Sequence, residues 1–193
     1  MRGGTSINEV FLTDVRIPDA YRVGDIGEGW KVALTVLGFE RGSSNGSSRV
    51  GGNWAQAKGL AEHLNLTEDP VIRDQLARLY SQYRIMVLNN QRVVAQTKAG
   101  QAPGPEGSIS KMIWVKSMNL MSDVITKMLG PRITADTGEW GTYEWNEHLL
   151  GAPGYRIAGG SDEIQRNIVG ERVLGLPGEP RVDKNIPYKD VLK

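Results

Sequence analysis

Apolar residues recur along this chain at two spacings, and the change between them divides it. Val10-Phe11-Leu12-Thr13-Asp14-Val15-Arg16-Ile17-Pro18 is β-branched and aromatic and ends at a proline, which predicts one strand or two short ones. A strand needs sheet neighbours, and no other segment supplies them. From residue 28 onwards the spacing becomes three and four, which is helical. A first helix is expected over 28–64. It carries Gly38, Gly42, Gly46, Gly51 and Gly52, each costing about 1 kcal/mol relative to alanine in an exposed helix. Close packing against a neighbouring helix or a ligand would account for so many missing side chains, and a break around 42–52 is the alternative. A second helix begins at Asp69, an N-cap residue, with Pro70 at the first position, where its missing N–H does no harm. Leu76, Leu79, Tyr80, Tyr83 and Met86 follow at helical spacing, and the helix ends near Gly100. A third runs over 106–129 with Trp114, Met118, Met121, Ile125 and Met128 on one buried stripe, and Gly130 and Pro131 stop it. A short helix near Trp140, Tyr143 and Trp145 ends near Gly151. The last, over 161–174, is capped by Ser161, with Asp162 and Glu163 at its positive end. Long helices with short connections predict an antiparallel bundle.

Composition narrows the function. Lys and Arg number 23 against 22 Asp and Glu, with no basic block, so nucleic acid is not an expected partner. The absence of cysteine excludes disulfides, thiolate metal sites and a thiol nucleophile, and fits a cytoplasmic protein. With only His63 and His148, a histidine-rich metal site is excluded and no metal is expected. There is no run of 18 apolar residues and no signal-peptide layout at the N-terminus, so no membrane span is expected.

Candidate chemistry gathers at two places. In the stretch from Gly29 to Arg41, Glu40 shares a helical face with Ala33, Val36 and Leu37 behind it, and with Ser43, Ser44, Ser47 and Gly51 ahead. That face is apolar, then acidic, then hollow, so a flat ligand could lie along it; the plain alternative is a pair of solvated charges, Glu40 and Arg41. At the other place, Gly159-Gly160 opens a helix and offers a backbone approach point for phosphate or another polar group. Asp162 and Glu163 weaken the case for a free anion there, and Ser161 can simply cap the helix. Gly42-Ser43-Ser44-Asn45-Gly46 matches the G-x-S-x-G nucleophile pattern, but a helix rather than a strand precedes it, so it is discarded.

These residues carry a resemblance. Asn8-Glu9-Val10-Phe11, Val15-Arg16-Ile17-Pro18, Gly29-Trp30-Lys31-Val32-Ala33 and Phe39-Glu40-Arg41 are similar to the acyl-CoA dehydrogenase pattern. So are Gly104-Pro105-Glu106-Gly107-Ser108 with Lys111 and Trp114, and, most specifically, the final helix from Gly159-Gly160-Ser161-Asp162-Glu163-Ile164-Gln165-Arg166 to Gly175-Leu176-Pro177. The segments stand in the family's order across nearly the whole chain. The resemblance implies a mainly α fold, an antiparallel four-helix bundle preceded by a short β remnant of a middle domain. Residues 1–25 would end that β domain, 26–177 would form the helical domain, and 178–193 a tail. Met1 would then lie mid-chain, as in a fragment, a truncated gene product or a misassigned start, and the chain alone would be inactive.

The activity implied is FAD-dependent dehydrogenation of an acyl-CoA thioester, with a glutamate as base. Family members carry that glutamate at one of two positions. One directly precedes the glycine and threonine or serine that open the last helix, and here it is Gly159. The other lies on the first bundle helix before an arginine, as in the isovaleryl and long-chain branches, and Glu40-Arg41 fits it. Glu40 is thus the implied catalytic base. Arg41 is implied beside the thioester or CoA, with an intrahelical ion pair as the alternative. Gly160, Ser161 and Glu163 match the flavin-contacting turn. The implied partners are acyl-CoA, electron-transfer flavoprotein, and a homo- or hetero-oligomer formed through the bundle. Two elements depart from the family: Leu66-Thr67-Glu68-Asp69-Pro70 stands where an Arg and Phe-Gly would reach a partner's FAD, and Leu129-Gly130-Pro131-Arg132 replaces a Gly-Gly-x-Gly element. They favour the rival expectation, a non-catalytic bundle subunit that supports a partner enzyme.

Overall fold

The helical spacing after residue 28 becomes a set of helices in the computed structural model, which describes residues 8–42, 52–101, 104–139, 142–180, 183 and 186–191. They are α1 (Gly29–Gly42), α2 (Trp54–His63), α3 (Pro70–Lys98), α4 (Gly107–Leu129), α5 (Thr142–Gly151), α6 (Asp162–Ile168) and a terminal turn α7 (Tyr188–Val191). Short 3-10 segments follow α4 (Gly130–Thr134) and α5 (Ala152–Arg156), and a π-helical turn (Val169–Val173) extends α6.

Local chemistry sets these boundaries. Asp69 caps α3 by accepting hydrogen bonds from the Val71 and Ile72 amides at 2.8 and 3.0 Å, with Pro70 behind it. Gly130, at φ +55° and ψ −136°, ends α4 in a region nearly reserved for glycine, costing a side-chain residue about 1–3 kcal/mol. Ser161 caps α6, and Leu174 and Gly175 (φ +69°) close its π-helical extension.

α4 is the axis of the molecule: α1, α2, α3, α5 and α6 all touch it. α3 runs antiparallel beside it. At one end of that pair, Asn89 donates to the Ser110 hydroxyl (2.7 Å), which donates to Asn90 Oδ1 (3.0 Å). At the other end lies the apolar core, where Met121, Val124, Ile125 and Met128 meet Leu76 and Leu79. α2 closes this end. Its Ala57, Leu60 and Ala61 are fully buried, and its Trp54 indole donates to the Leu76 carbonyl (3.1 Å). Trp145 of α5 completes the cluster, and His148 Nε2 stands 3.2 Å from the Met118 carbonyl. The expected stripe on α4 is therefore buried, with Trp114 half-buried against Tyr155.

Two expectations are corrected. The first helix does not run unbroken from 28 to 64. α1 ends at Gly42 and α2 begins after Asn53, whose side chain and that of Gln56 bond each other's backbone amides in a capping box (both 3.0 Å). Gly52, just before it, has φ +119°, and a Cβ there would sit 2.9 Å from Trp145, 3.2 Å from His148 and 3.3 Å from Met121. Close packing does explain this one missing side chain. Residues 43–51, with the discarded nucleophile pattern beyond Gly42, lie outside the described residues, as do Trp140 and the side chain of Tyr143.

The second correction is the β remnant. No strand forms among the described residues: 8–18 run without ladder partners, and Val10, Phe11, Leu12, Val15 and Ile17 are exposed. The β-branched run has no neighbouring strand to take up its amides and carbonyls, and Asp14, at φ +50°, interrupts it. No described helix is long and apolar enough to cross a membrane.

Candidate functional site

The N-terminal half of α4 is built from different chemistry. Ser108, Lys111, Val115 and Met118 fall at spacings of three and four along one inward face, so a lysine occupies a position that the register reserves for the interior. α6 packs over that face. Asp162, at the start of α6, is 8% exposed and carries two ion pairs: Oδ1 accepts from Lys111 Nζ and Oδ2 from Arg156 Nε, each at 3.1 Å. Burial pushes the Asp162 carboxyl up, but hydrogen bonds from Lys111 and Arg156, and then their charges, outweigh it and hold the group below its ordinary value.

Between Arg156 and Asp162 the chain makes a turn through Gly159 and Gly160, at φ +69° and +93°. Gln165, one turn into α6, is buried and donates from Nε2 to the Gly159 carbonyl (2.8 Å). A Cβ on Gly160 would meet that same Gln165 amide, which would have to move, and φ +93° favours glycine there on conformational grounds. At Gly159 nothing lies within 4 Å of a Cβ, and the space beside it is open. Among the described residues nothing accepts the backbone N–H groups of Gly159, Gly160 or Ser161. Three consecutive amides in an open turn are thus left to solvent or to a polar ligand atom.

Ser161 is occupied on both sides. Its hydroxyl accepts from the Ile164 amide (3.3 Å), capping α6. It also bonds Glu163, whose carboxyl is held below its ordinary value first by its own backbone amide and then by Ser161. Buried Ser108 Oγ and Gln165 Oε1 have no hydrogen-bond partner among the described residues.

Of the residues singled out from the sequence, Gly160, Ser161 and Glu163 therefore come together on one turn. Glu40 and Arg41 lie in the last turn of α1, and their side chains are outside the described residues. The face leading to them, Ala33, Val36 and Leu37, is exposed. Sequence reasoning gave Asp162 only a helix-end role and missed Arg156 as its partner and Gln165 as the donor to the Gly159 carbonyl. The signal available was Lys111 at an interior register, which demands a buried anion.

A cleft of about 290 Å³, lined by His63, Leu64, Leu129, Arg132 and Glu139, opens at the far end of α4. Arg132 is engaged there, donating to the Leu129 and Met128 carbonyls (3.1 and 3.2 Å) and thereby capping the end of α4. Among the described residues no group of three or more His, Asp or Glu could hold a metal ion.

Residues 27–174 match the family model described as acyl-CoA dehydrogenase, C-terminal domain. The chain is 34% identical over 182 residues to acyl-CoA dehydrogenase IpdE1 of Mycobacterium tuberculosis, covering 93% of this chain and 46% of that protein. It is 28% identical over 175 residues to acyl-CoA dehydrogenase FadE34 of the same organism, covering 91% of this chain and 24% of the relative. It thus spans about half, or less, of the curated relatives it matches. The fold resembles the solved Tcur3481-Tcur3483 steroid ACAD, with a TM-score of 0.72, 23% identity, and coverage of 87% of this chain and 45% of that one. It also resembles the ChsE4-ChsE5 complex from Mycobacterium tuberculosis, with a TM-score of 0.66, 22% identity, and coverage of 86% and 46%.

Proposed function

The chain belongs to the acyl-CoA dehydrogenase family through its C-terminal helical domain, and from that premise we propose that it supplies the base and part of the flavin-facing wall of an enzyme that desaturates an acyl-CoA thioester between its α and β carbons. The observation that carries this reading is where a carboxylate does and does not stand. Glu40 lies on α1 followed by Arg41, while the alternative position is Gly159.

Glu40 takes the α proton. In a cleft closed to water its charged form is poorly solvated, which raises its pKa and makes it a stronger acceptor. Bound FAD supplies the acceptor for the hydride that leaves the β carbon. Arg41 lies beside the thioester or the CoA end. The turn of Gly160, Ser161 and Glu163 fits the flavin role: its unused backbone amides can donate to a polar ring edge, and the open space at Gly159 lets a flat group approach.

On this reading residues 26–177 are the helical domain, 1–25 the end of the domain that precedes it, and 178–193 a tail. The enzyme is cytoplasmic and passes its electrons to an electron-transfer flavoprotein. It assembles as a homo- or hetero-oligomer through the bundle, a role supported by exposed Tyr80, Tyr83, Leu88 and Val94 on α3.

In the complete enzyme, Glu40→Gln keeps size but removes the proton acceptor. Turnover is expected to fall about 10²–10⁴-fold while acyl-CoA binding persists. Adding Gly159→Glu to Glu40→Gln restores a carboxylate at the other position, where space is open but φ +69° strains a side chain, so partial recovery is expected. Unchanged flavin reduction in Glu40→Gln would show that Glu40 is an ordinary helix charge.

A further inference from the structure

Asp162 is placed for more than the end of α6. It ties three elements together: α4 through Lys111, the 3-10 segment through Arg156, and α6 itself. The turn of Gly159, Gly160 and Ser161 is strung between two of those anchor points, Arg156 and Asp162. Glycines at positive φ confer no rigidity of their own, so the turn's shape has to be imposed from its ends. One restraint comes from the Gln165 amide on the Gly159 carbonyl; the other is the pair of ion pairs at Asp162.

The energetics set this cluster apart from an ordinary surface salt bridge. The Lys111 and Asp162 side chains are 13% and 11% exposed, so both ions have given up most of their hydration. Such a pair adds little net stability over apolar residues of the same volume, but it is directional and strongly disfavours any arrangement that separates the charges. Arg156 takes the second carboxylate oxygen, so the carboxylate cannot rotate without losing one partner.

We propose that Asp162 is a positioning residue that fixes the Gly159-Gly160-Ser161 turn against α4 and so holds its free backbone amides in the arrangement that binds flavin. The proposal rests on the reading of that turn as flavin-contacting. Asp162 acts through the turn: its two oxygens are already taken by Lys111 and Arg156, and it needs no contact with the cofactor.

The test uses the complete FAD-loaded enzyme and two readouts that do not depend on turnover, the FAD dissociation constant and the visible circular dichroism of the bound flavin. Asp162→Asn, which leaves Lys111 buried without its counter-ion, is expected to raise the FAD dissociation constant about tenfold or more and to alter the flavin signal. Arg156→Gln removes only the half-exposed arm and keeps the bundle folded, so it is expected to move both readouts the same way by a smaller factor. Ile125→Ala weakens the bundle at its opposite end and is expected to leave both readouts as in wild type. If Asp162→Asn or Arg156→Gln lowers the melting temperature but leaves both readouts unchanged, the cluster is merely structural and the proposal is overturned. Ser161→Asn, which retains an N-cap but enlarges the side chain, separates the two layers of the argument. If it shifts the flavin signal while Asp162→Asn does not, only the positioning role fails. If none of the three variants in this segment shifts it, the turn does not touch flavin and the underlying reading falls as well.

Discussion

The two ends of α4 are built to opposite rules. Toward its C-terminus, Met121, Val124, Ile125 and Met128 are packed among Leu60, Leu76, Leu79 and Trp145, with hydrocarbon on every side. About 21 Å from Ile125 along the same helix, at 1.5 Å per residue, Lys111 faces Asp162, and Ser108 and Gln165 bury oxygens without partners among the described residues. The apolar end gains stability from area removed from water, which tolerates small shifts in geometry. The polar end gains little stability, because buried charges lose their hydration, but it disfavours arrangements that part Asp162 from Lys111 and Arg156. One end makes the bundle fold; the other shapes the glycine turn carrying the candidate flavin-facing residues.

The contrast can be broken most sharply at the apolar end. Ile125→Ala is expected to cost about 2–5 kcal/mol in urea-induced unfolding, since Ile125 is almost fully buried and its neighbours come from α2 and α3. A loss well under 1 kcal/mol, roughly, would mean that this end collapses freely around the cavity and is not the seat of stability.

Acid addresses the polar end next. The Asp162 carboxyl is depressed in the folded chain, so the unfolded chain takes up protons first and stability falls as pH falls. The contribution is fully present above the unfolded value of about 3.9 and is lost as pH drops through the lower folded value. Urea midpoints measured from pH 5 down to pH 2, roughly, should decline more steeply in wild type than in Asp162→Asn. Equal slopes would remove Asp162 from the account. The smallest effect belongs to Asp69→Ala, which removes the α3 cap at the apolar end; about 1 kcal/mol is expected, with the turn at residues 159–161 untouched.

How much of this was legible in the sequence follows from the range of the interactions. α3 and α4 were readable because a capping aspartate, an N1 proline, a terminal glycine and a three-four apolar spacing all act within a few residues. The Ser161 cap is local in the same way. The break between α1 and α2 was harder, because helical spacing continues through the glycines and serines. The Asn53–Gln56 capping box starts α2 locally, but the close packing at Gly52 before it comes from Trp145, His148 and Met121, residues far along the chain. The strand over 10–18 failed for a related reason: β-branching states a preference, and only a neighbouring strand can satisfy it. In the site, Lys111 and Asp162 stand 51 residues apart and carry no mutual signal beyond a charge at an interior register. Glu40 and Arg41 were singled out by their helical face and by their motif, and their side chains lie outside the described residues.

The central claim is that the cofactor meets this chain at the polar end of α4 and not at the cleft by Arg132. Amide hydrogen exchange of the complete enzyme, with and without FAD, tests it most directly. The account predicts that FAD slows exchange at residues 159–163 and leaves residues 121–129 as they were. Protection confined to residues 121–132, with 159–163 unchanged, would contradict it.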